Sequence, residues 1–181
     1  MRIITGTSRG RRLVAPEGLD VRPTPEKVKE ALFSALQFDI EGRRVLDLFA
    51  GSGQLGIEAL SRGAKSATFV DSSPVSIKTV EKNLAVSELS DKARVLKTDY
   101  ASFCASSREI FDIAFLDPPY NEGILLPALK AVLPLMSDYG TVICEHPPQV
   151  ELPEEIGGFC VKRTYRYGKI HVTVYKKGGN I

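Results

Sequence analysis

Four consecutive residues, Asp117-Pro118-Pro119-Tyr120, place an acid, two stiff prolines and an aromatic ring at the end of the apolar run Ile113 to Asp117. Two successive prolines remove two N–H donors and leave the Pro118 carbonyl open to an outside donor. An exocyclic amine on a nucleic-acid base is a weak nucleophile, because its lone pair is delocalised into the ring. An acid and a carbonyl that accept its two N–H hydrogens turn the amine out of conjugation and aim the lone pair at an electrophile. The acid then stabilises the positive charge growing on nitrogen. Tyr120 can stack on the base, as aromatic side chains do for bases removed from a helix. The segment implies transfer of an activated group to an amine, which needs orientation rather than a metal or a covalent nucleophile. A proline-rich exit from a strand is the competing reading.

A second constellation lies upstream. Val45 to Phe49 reads as a strand, followed by Gly51, Gly53 and Gly56 in G-x-G-x-x-G spacing, with Asp71 20 residues after Gly51. This is the literal dinucleotide fingerprint, so a NAD-dependent oxidoreductase has to be weighed. Glycines let a ligand approach the backbone but do not name it. Asp47 discriminates, because its carboxylate near the turn would repel a pyrophosphate and attract an ammonium. S-adenosylmethionine carries that ammonium, and its ribose offers two hydroxyls that Asp71 could accept. Asp99 is placed like an acceptor for the adenine amino group, and reads equally well as a helix N-cap. His146, in Glu145-His146-Pro147-Pro148, falls on the same edge and is a candidate substrate contact.

The elements that must position these residues follow from periodicity. Short apolar runs predict strands at residues 44–49, 67–71, 93–97, 113–117 and 141–145. Amphipathic stretches between them predict helices at 55–62, 74–87, 100–106 and 123–135. This alternation implies a mostly parallel sheet covered on both faces, with ligands bound outside the carboxyl ends of the strands. Asp47, Asp71, Asp99 and Asp117 all end such strands. Residues 159–167 and 169–175 predict an antiparallel hairpin turning at Gly168. At the front, Met1 to Thr5 and Arg11 to Ala15 predict a small hairpin. Thr24 as N-cap and Pro25 at the first position predict a helix over residues 25–38.

Bulk properties narrow the class. The chain has 181 residues and no long linker, so one domain is expected, with residues 1–23 a basic hairpin appendage and 24–181 the helix and catalytic α/β core. No apolar run approaches the roughly 18 to 20 residues of a membrane span. The start lacks a signal-peptide pattern, so a cytoplasmic protein is expected. Cys104, Cys144 and Cys160 are odd in number and widely spaced, which supports neither a disulfide framework nor a zinc site. Cys144 reads as a buried small hydrophobe. Net charge is only +2, yet Arg2, Arg9, Arg11 and Arg12 have no acid among residues 1–12, and residues 156–181 carry six basic residues and no acid. Two basic ends on an acidic body suggest a polyanion partner, more strongly if they share a face.

The chain resembles the RsmD-type 16S ribosomal RNA (guanine-N2)-methyltransferases of bacteria. The resemblance runs over nearly the whole chain. It rests on Arg22-Pro23-Thr24 leading into Val28 to Phe33, on Asp47 to Gly53 with Gly56 to Ala64, and on Asp117 to Tyr120. It implies a class I S-adenosylmethionine-dependent methyltransferase fold, Rossmann-like, with a seven-stranded sheet whose last strand pair includes one antiparallel member. It implies transfer from S-adenosylmethionine to one guanine N2 of 16S rRNA, within the small subunit or an assembly intermediate, by a monomer. Asp47, Gly51, Gly53, Asp71 and Asp99 would line the cofactor site, Arg22 and Thr24 would close over it, and Asp117, Pro118, Pro119 and Tyr120 would hold the base. Arg9, Arg11, Arg12 and Lys169 are the expected RNA contacts. Lys27 and Gln54 depart from the family pattern, where an arginine and a small apolar residue are commoner. An N6-adenine methyltransferase of DNA or RNA, and a non-catalytic RNA-binding relative, are the alternatives.

Overall fold

The computed structural model describes residues 1–18, 24–36, 39–120 and 123–178. Five apolar runs form parallel strands: β1 (Arg44–Asp47), β2 (Ser66–Asp71), β3 (Ala93–Lys97), β4 (Phe111–Leu116) and β5 (Met136–His146). The central runs are hydrophobic almost without interruption because both sides are buried. Val45, Ile113, Phe115 and Ile143 enter one core layer, while Leu46, Ala114, Leu116, Val142 and Cys144 enter the other. The first layer is closed by α1 (Glu26–Ala35), α2 (Gln54–Ser61) and α3 (Pro74–Ser87), the second by α4 (Tyr100–Ser106) and α5 (Leu125–Val132). No helix among the described residues is long and apolar enough to cross a membrane.

Three further strands, β6 (Glu155–Ile156), β7 (Phe159–Tyr167) and β8 (Ile170–Lys177), complete the order β3-β2-β1-β4-β5-β8-β7-β6. β8 runs antiparallel to both β5 and β7. The class I methyltransferase architecture is therefore present, with eight strands among the described residues rather than seven; the extra one is the two-residue β6, too short to leave an alternating signal. Tyr167 pairs with Ile170, leaving Gly168 and Lys169 as a two-residue turn, and Gly168 supplies the positive φ of +60° that such turns require.

Helix starts follow local chemistry. Ser73 caps α3, its hydroxyl accepting the Ser76 amide at 3.3 Å, and Asp99 caps α4, accepting the Ser102 amide at 2.9 Å. α1 departs from expectation. Pro25 itself occupies the cap position, its carbonyl accepting the Val28 and Lys29 amides, and no side chain caps the helix. The Thr24 hydroxyl is instead donated to Glu145, 121 residues away. The expected helix end at Phe38 lies outside the described residues. β5 begins five residues before the expected Thr141, and α5 begins at Leu125 and ends in a 3-10 turn, Leu133–Leu135.

The front of the chain forms the expected small hairpin around one antiparallel bridge, Arg2 to Arg12, with the Ile3 amide donated to Arg11 O at 3.0 Å, the Leu13 amide to Met1 O at 3.0 Å and the Gly10 amide to Ile3 O at 2.8 Å. Other amides of the segment reach the helices. The fully buried Glu58 carboxylate accepts the Ile4 amide at 2.9 Å, the Thr5 amide at 3.0 Å and Arg62 Nε at 2.9 Å, and pairs with Lys29 Nζ at 3.4 Å. Beyond it, Thr7 donates its amide to Ser61 O, and Ser8 its hydroxyl to Ser87 O. Gly6 at φ +92° sits so close to Ser61 that a Cβ there would lie 1.8 Å from the Ser61 carbonyl oxygen. The segment is thus packed along α2 and α3, with Ile3 and Leu13 in the first core layer.

Candidate active site

The carboxyl ends of β1, β2, β4 and β5 bring Asp47, Asp71, Asp117 and Glu145 to one edge of the sheet. Asp47 Oδ2 accepts the Gly56 amide at 3.0 Å, tying the end of β1 to the first turn of α2. Burial pushes its carboxyl up to about 7, opposed by the Gly56 amide and aided by the Asp71 charge. Asp71 braces the glycine turn: Oδ2 accepts the Gly51 amide at 2.9 Å and Oδ1 the Ser73 amide at 2.8 Å. Each carboxylate oxygen keeps a second lone pair, enough for a hydroxyl. Gly53 enters α2 from the left-handed region at φ +76°, which an L side chain resists.

Asp47 and Asp117 line one pocket with Phe49, Gly51, Ser52 and Gln54, and Met1, Ala15 and Pro16 form its outer wall. It is a small, partly open pocket of about 60 Å³. The Gln54 Oε1 atom is buried there without a hydrogen-bond partner. A buried acid short of donors and an orphaned acceptor beside it fit an ammonium group. A Cβ built on Gly51 meets nothing within 4 Å, so the loop is open to close approach.

Beyond the partition formed by Asp117 to Tyr120 lies a second, mainly apolar pocket of about 140 Å³, lined by Pro118, Pro119, Tyr120, Leu125, Glu145 and His146 among others. The tetrapeptide therefore stands between a polar pocket and an apolar one, with Asp117 on the first and the next three residues on the second. Burial, followed by the Glu145 and Asp47 charges, holds the half-buried Asp117 carboxyl well above the usual carboxylate range. Glu145 is also raised by burial, although two donors pull it back: Tyr120 Oη at 2.7 Å on Oε1 and Thr24 Oγ1 at 3.0 Å on Oε2. Tyr120 is thereby anchored at its hydroxyl while 39% of the residue remains exposed.

Other expected site residues fall elsewhere. Asp99 is exposed and spends both oxygens on Ser102, which hold its carboxyl below the usual range. It is outside the residues lining the polar pocket, and its observed part is that of an N-cap. Thr24 reaches Glu145 rather than the glycine turn, and Arg22 lies outside the described residues. His146 is buried, and its ring is held on both sides. Nδ1 lies 3.1 Å from the Pro147 carbonyl, which only accepts, so Nδ1 carries the proton; Nε2 then accepts from Thr173 Oγ1 at 2.9 Å. Burial lowers its pKa, keeping it neutral as a wall of the apolar pocket rather than a proton carrier.

The expected RNA contacts separate. The Arg11 guanidinium is used on the end of α3, at 2.5 Å from Val86 O and 2.9 Å from Glu88 Oε2, because a helix C-terminus offers unpaired carbonyls and attracts cations. Arg9 is exposed beside the ends of α2 and α3, at the amino edge of the sheet, while Lys169 is exposed at the carboxyl edge. Arg9 and Lys169 therefore lie at opposite edges of the sheet. Cys144 is buried in the second core layer, as expected, and no metal-ligand cluster occurs among the described residues.

Glu145 is the site residue that sequence reasoning missed. Its only signal was an acid closing the apolar run Val142-Ile143-Cys144, one strand over from Asp117.

Comparison with known proteins agrees with this geometry. The family model described as conserved hypothetical protein 95 matches residues 1–176. The Bacillus subtilis protein YlbH, whose name marks it as a candidate rRNA methyltransferase, is 45% identical over 188 residues, covering 99% of this chain and 100% of the relative. Ribosomal RNA small subunit methyltransferase D of Escherichia coli K12 is 38% identical, over 87% of this chain and 77% of the relative. The solved structure of the E. coli protein yhhF, described as a methyltransferase candidate, superposes with a TM-score of 0.88 at 34% identity over 99% of both chains.

Proposed function

This chain belongs to the RsmD-type family, the one described by the conserved hypothetical protein 95 model, and from that premise we propose that it methylates the exocyclic N2 amine of a guanine in 16S ribosomal RNA, using S-adenosylmethionine. The observation that carries this reading is the position of Asp117-Pro118-Pro119-Tyr120 between the two pockets. One pocket offers a cation site and the other a slot for a flat apolar ring.

Bound in the polar pocket, S-adenosylmethionine supplies an already activated methyl group. Asp47 receives the cofactor's ammonium, with Gln54 Oε1 as a second acceptor, and Asp71 accepts the ribose hydroxyls. Asp99, just beyond β3, is assigned to the adenine side through the lone pairs its N-cap bonds leave free; Thr24, held on Glu145, is assigned to the boundary between the two pockets, and a cofactor contact by Arg22 rests on the family resemblance alone. On the other side, Tyr120 stacks on the target base, its ring fixed by the hydroxyl bond to Glu145. Asp117 and the Pro118 carbonyl accept the two hydrogens of the amine and aim its lone pair. The high proton affinity of Asp117, which comes from burial and the acids around it, makes its ionised form a strong acceptor for the positive charge and the proton that the new N–C bond releases. The reaction is assigned to the cytoplasm, to the small subunit or an assembly intermediate, and to a single copy of the chain.

Mass spectrometry of 16S rRNA from cells lacking this protein tests the reading; one N2-methylguanine should be missing and should return when purified protein and S-adenosylmethionine are added to their small subunits. An unchanged nucleoside profile, or calorimetric binding of NAD in place of S-adenosylmethionine, would sink it.

A further inference from the structure

Basic residues of β7 and β8 are sorted by edge. At the amino edge of the sheet, Lys176 pairs with Asp39 at 2.9 Å and Lys177 with Asp138 at 2.6 Å. At the carboxyl edge, where the catalytic tetrapeptide lies, Arg166 and Lys169 are exposed and make no ion pair among the described residues, and neither do the exposed Lys162 and Arg163 at the middle of β7. The same two strands therefore end in neutralised charge on one side and uncompensated positive charge on the other.

Register connects that charge to the apolar pocket. Arg166 pairs with His171, and His171 with His146, so the three lie in one row across β7, β8 and β5. His146 is a wall of the pocket that holds Tyr120. Two strand spacings put the Arg166 backbone about 10 Å from that wall, within reach of nucleotides next to one inserted in the pocket. The opposite face of β7 carries two tyrosines, half-buried against the first core layer, whose outer parts remain accessible. Tyr165 and Tyr167 are parallel within 7° at 6.4 Å between centroids, and the Arg163 guanidinium lies 5.0 Å over the Tyr165 ring. β6 covers β7 only at Phe159 and Cys160, so the strand edge from Arg163 onward is not paired by it.

We propose that the carboxyl-edge half of the β7–β8 hairpin, through Arg163, Arg166, Lys169 and the Tyr165–Tyr167 pair, is the surface that grips the RNA strand flanking the target guanine. This rests on the reading of the chain as an RNA methyltransferase and gives the docking role to the hairpin rather than to the N-terminal arginines. Charge complementarity commits the occupant: guanidinium and ammonium groups of one sign beside stacked rings match phosphates and bases of a single strand. Charges on an exposed strand edge also deter edge-to-edge pairing, but that purpose gives no reason for the far-edge lysines alone to be matched with acids.

The test compares the triple variant Arg163→Ala/Arg166→Ala/Lys169→Ala with the far-edge double variant Lys176→Ala/Lys177→Ala. The substrate is small ribosomal subunits from cells lacking the protein, with radiolabelled S-adenosylmethionine as donor. The triple variant should raise KM for subunits at least tenfold with kcat within about twofold, and should lower the slope of log affinity against log salt by about 2, at roughly 0.7 to 0.9 per phosphate contact. Its affinity for S-adenosylmethionine by calorimetry should match wild type, and the far-edge variant should keep wild-type KM. An unchanged KM and salt slope in the triple variant, or an equal loss in the far-edge variant, would overturn the docking surface while leaving the enzymatic reading intact. Wild-type protein that neither binds nor methylates the subunits would overturn both.

Discussion

Glu58 and the acids of the carboxyl edge are buried in the same molecule under opposite conditions. Glu58 meets two backbone amides, an arginine and a lysine, so every part of its carboxylate is matched from within the chain. Asp47 has one amide from Gly56, and around Asp117 the neighbours are further acids, Glu145 and Asp47. Burying a charge without partners is costly, and the cost appears as a raised proton affinity. The contrast separates an acid that holds the fold from acids that, on the proposed function, receive donors from ligands.

The comparison can be broken most sharply at Asp117. Asp117→Ala should reduce methyl transfer by about a thousandfold or more, the range expected when a transition-state charge partner is removed, while S-adenosylmethionine affinity and thermal midpoint stay near wild type. Equal loss of cofactor binding, measured by calorimetry, would make Asp117 a cofactor ligand first. Glu58→Ala should behave inversely. It strands buried Lys29, and denaturant unfolding should register a loss of about 3 to 5 kcal/mol, with residual activity in proportion to folded protein.

Asp47→Asn separates the two costs within one residue. Asparagine can still accept the Gly56 amide, but it has no charge for an ammonium, so cofactor affinity should fall ten- to a hundredfold. Stability should move the other way. In the wild type the folded chain keeps a proton on Asp47 that the unfolded chain has already lost between about pH 4 and pH 7. Stability therefore falls as pH rises through that window and stays lower above it, so the variant should be the more stable protein at pH 8 by an amount of order 4 kcal/mol. In wild type, cofactor binding near pH 6 should release a proton, visible as a binding enthalpy that depends on the buffer; independence from buffer there would remove Asp47 from the ammonium site.

Glu145→Gln should be milder. Removing its charge relieves Asp117, so the acidic limb of the pH–rate profile should move to lower pH, with kcat down about tenfold as the Tyr120 anchor weakens. An unmoved limb would show that Glu145 does not act on Asp117. Smallest of all, Gln54→Leu should weaken S-adenosylmethionine binding only a few fold, enough in a titration to tell an accepting Oε1 from an indifferent one.

Much of this was legible in the sequence, for physical reasons that also mark where legibility stops. The strand runs, the glycine turn and the Gly168 hairpin are local patterns, and the acids Asp47, Asp71 and Asp117 could be placed because strand ends in such sheets share an edge. Thr24 illustrates the limit. Its neighbours made it an N-cap, but a partner 121 residues away took its hydroxyl, and no window along the chain contains both. Arg11 shows the same limit, since the helix end its guanidinium meets lies 75 residues on. Glu145 carried no motif, because its importance comes from what β4 and β5 place side by side. The front segment reads as a hairpin by its apolar spacing and is one, its arms joined by the Ile3, Gly10 and Leu13 amides; what spacing did not show is that the Ile4 and Thr5 amides are held by Glu58.

That front segment also bears on how the chain assembles as it is made. Residues 1–16 are synthesised before α3, yet Ser8 docks on Ser87 and Val14 on Asn83, so they have no seat until α3 exists. Thr24 waits longer, for Glu145 at the end of β5. The outer wall of the polar pocket, formed by Met1, Ala15 and Pro16, is thus set by late arrivals closing on early residues. A nascent chain halted before β5 would carry an intact glycine turn but neither the Glu145 that orients Tyr120 nor the anchor for Thr24. Competence for the second pocket is acquired after the elements of the first have been made.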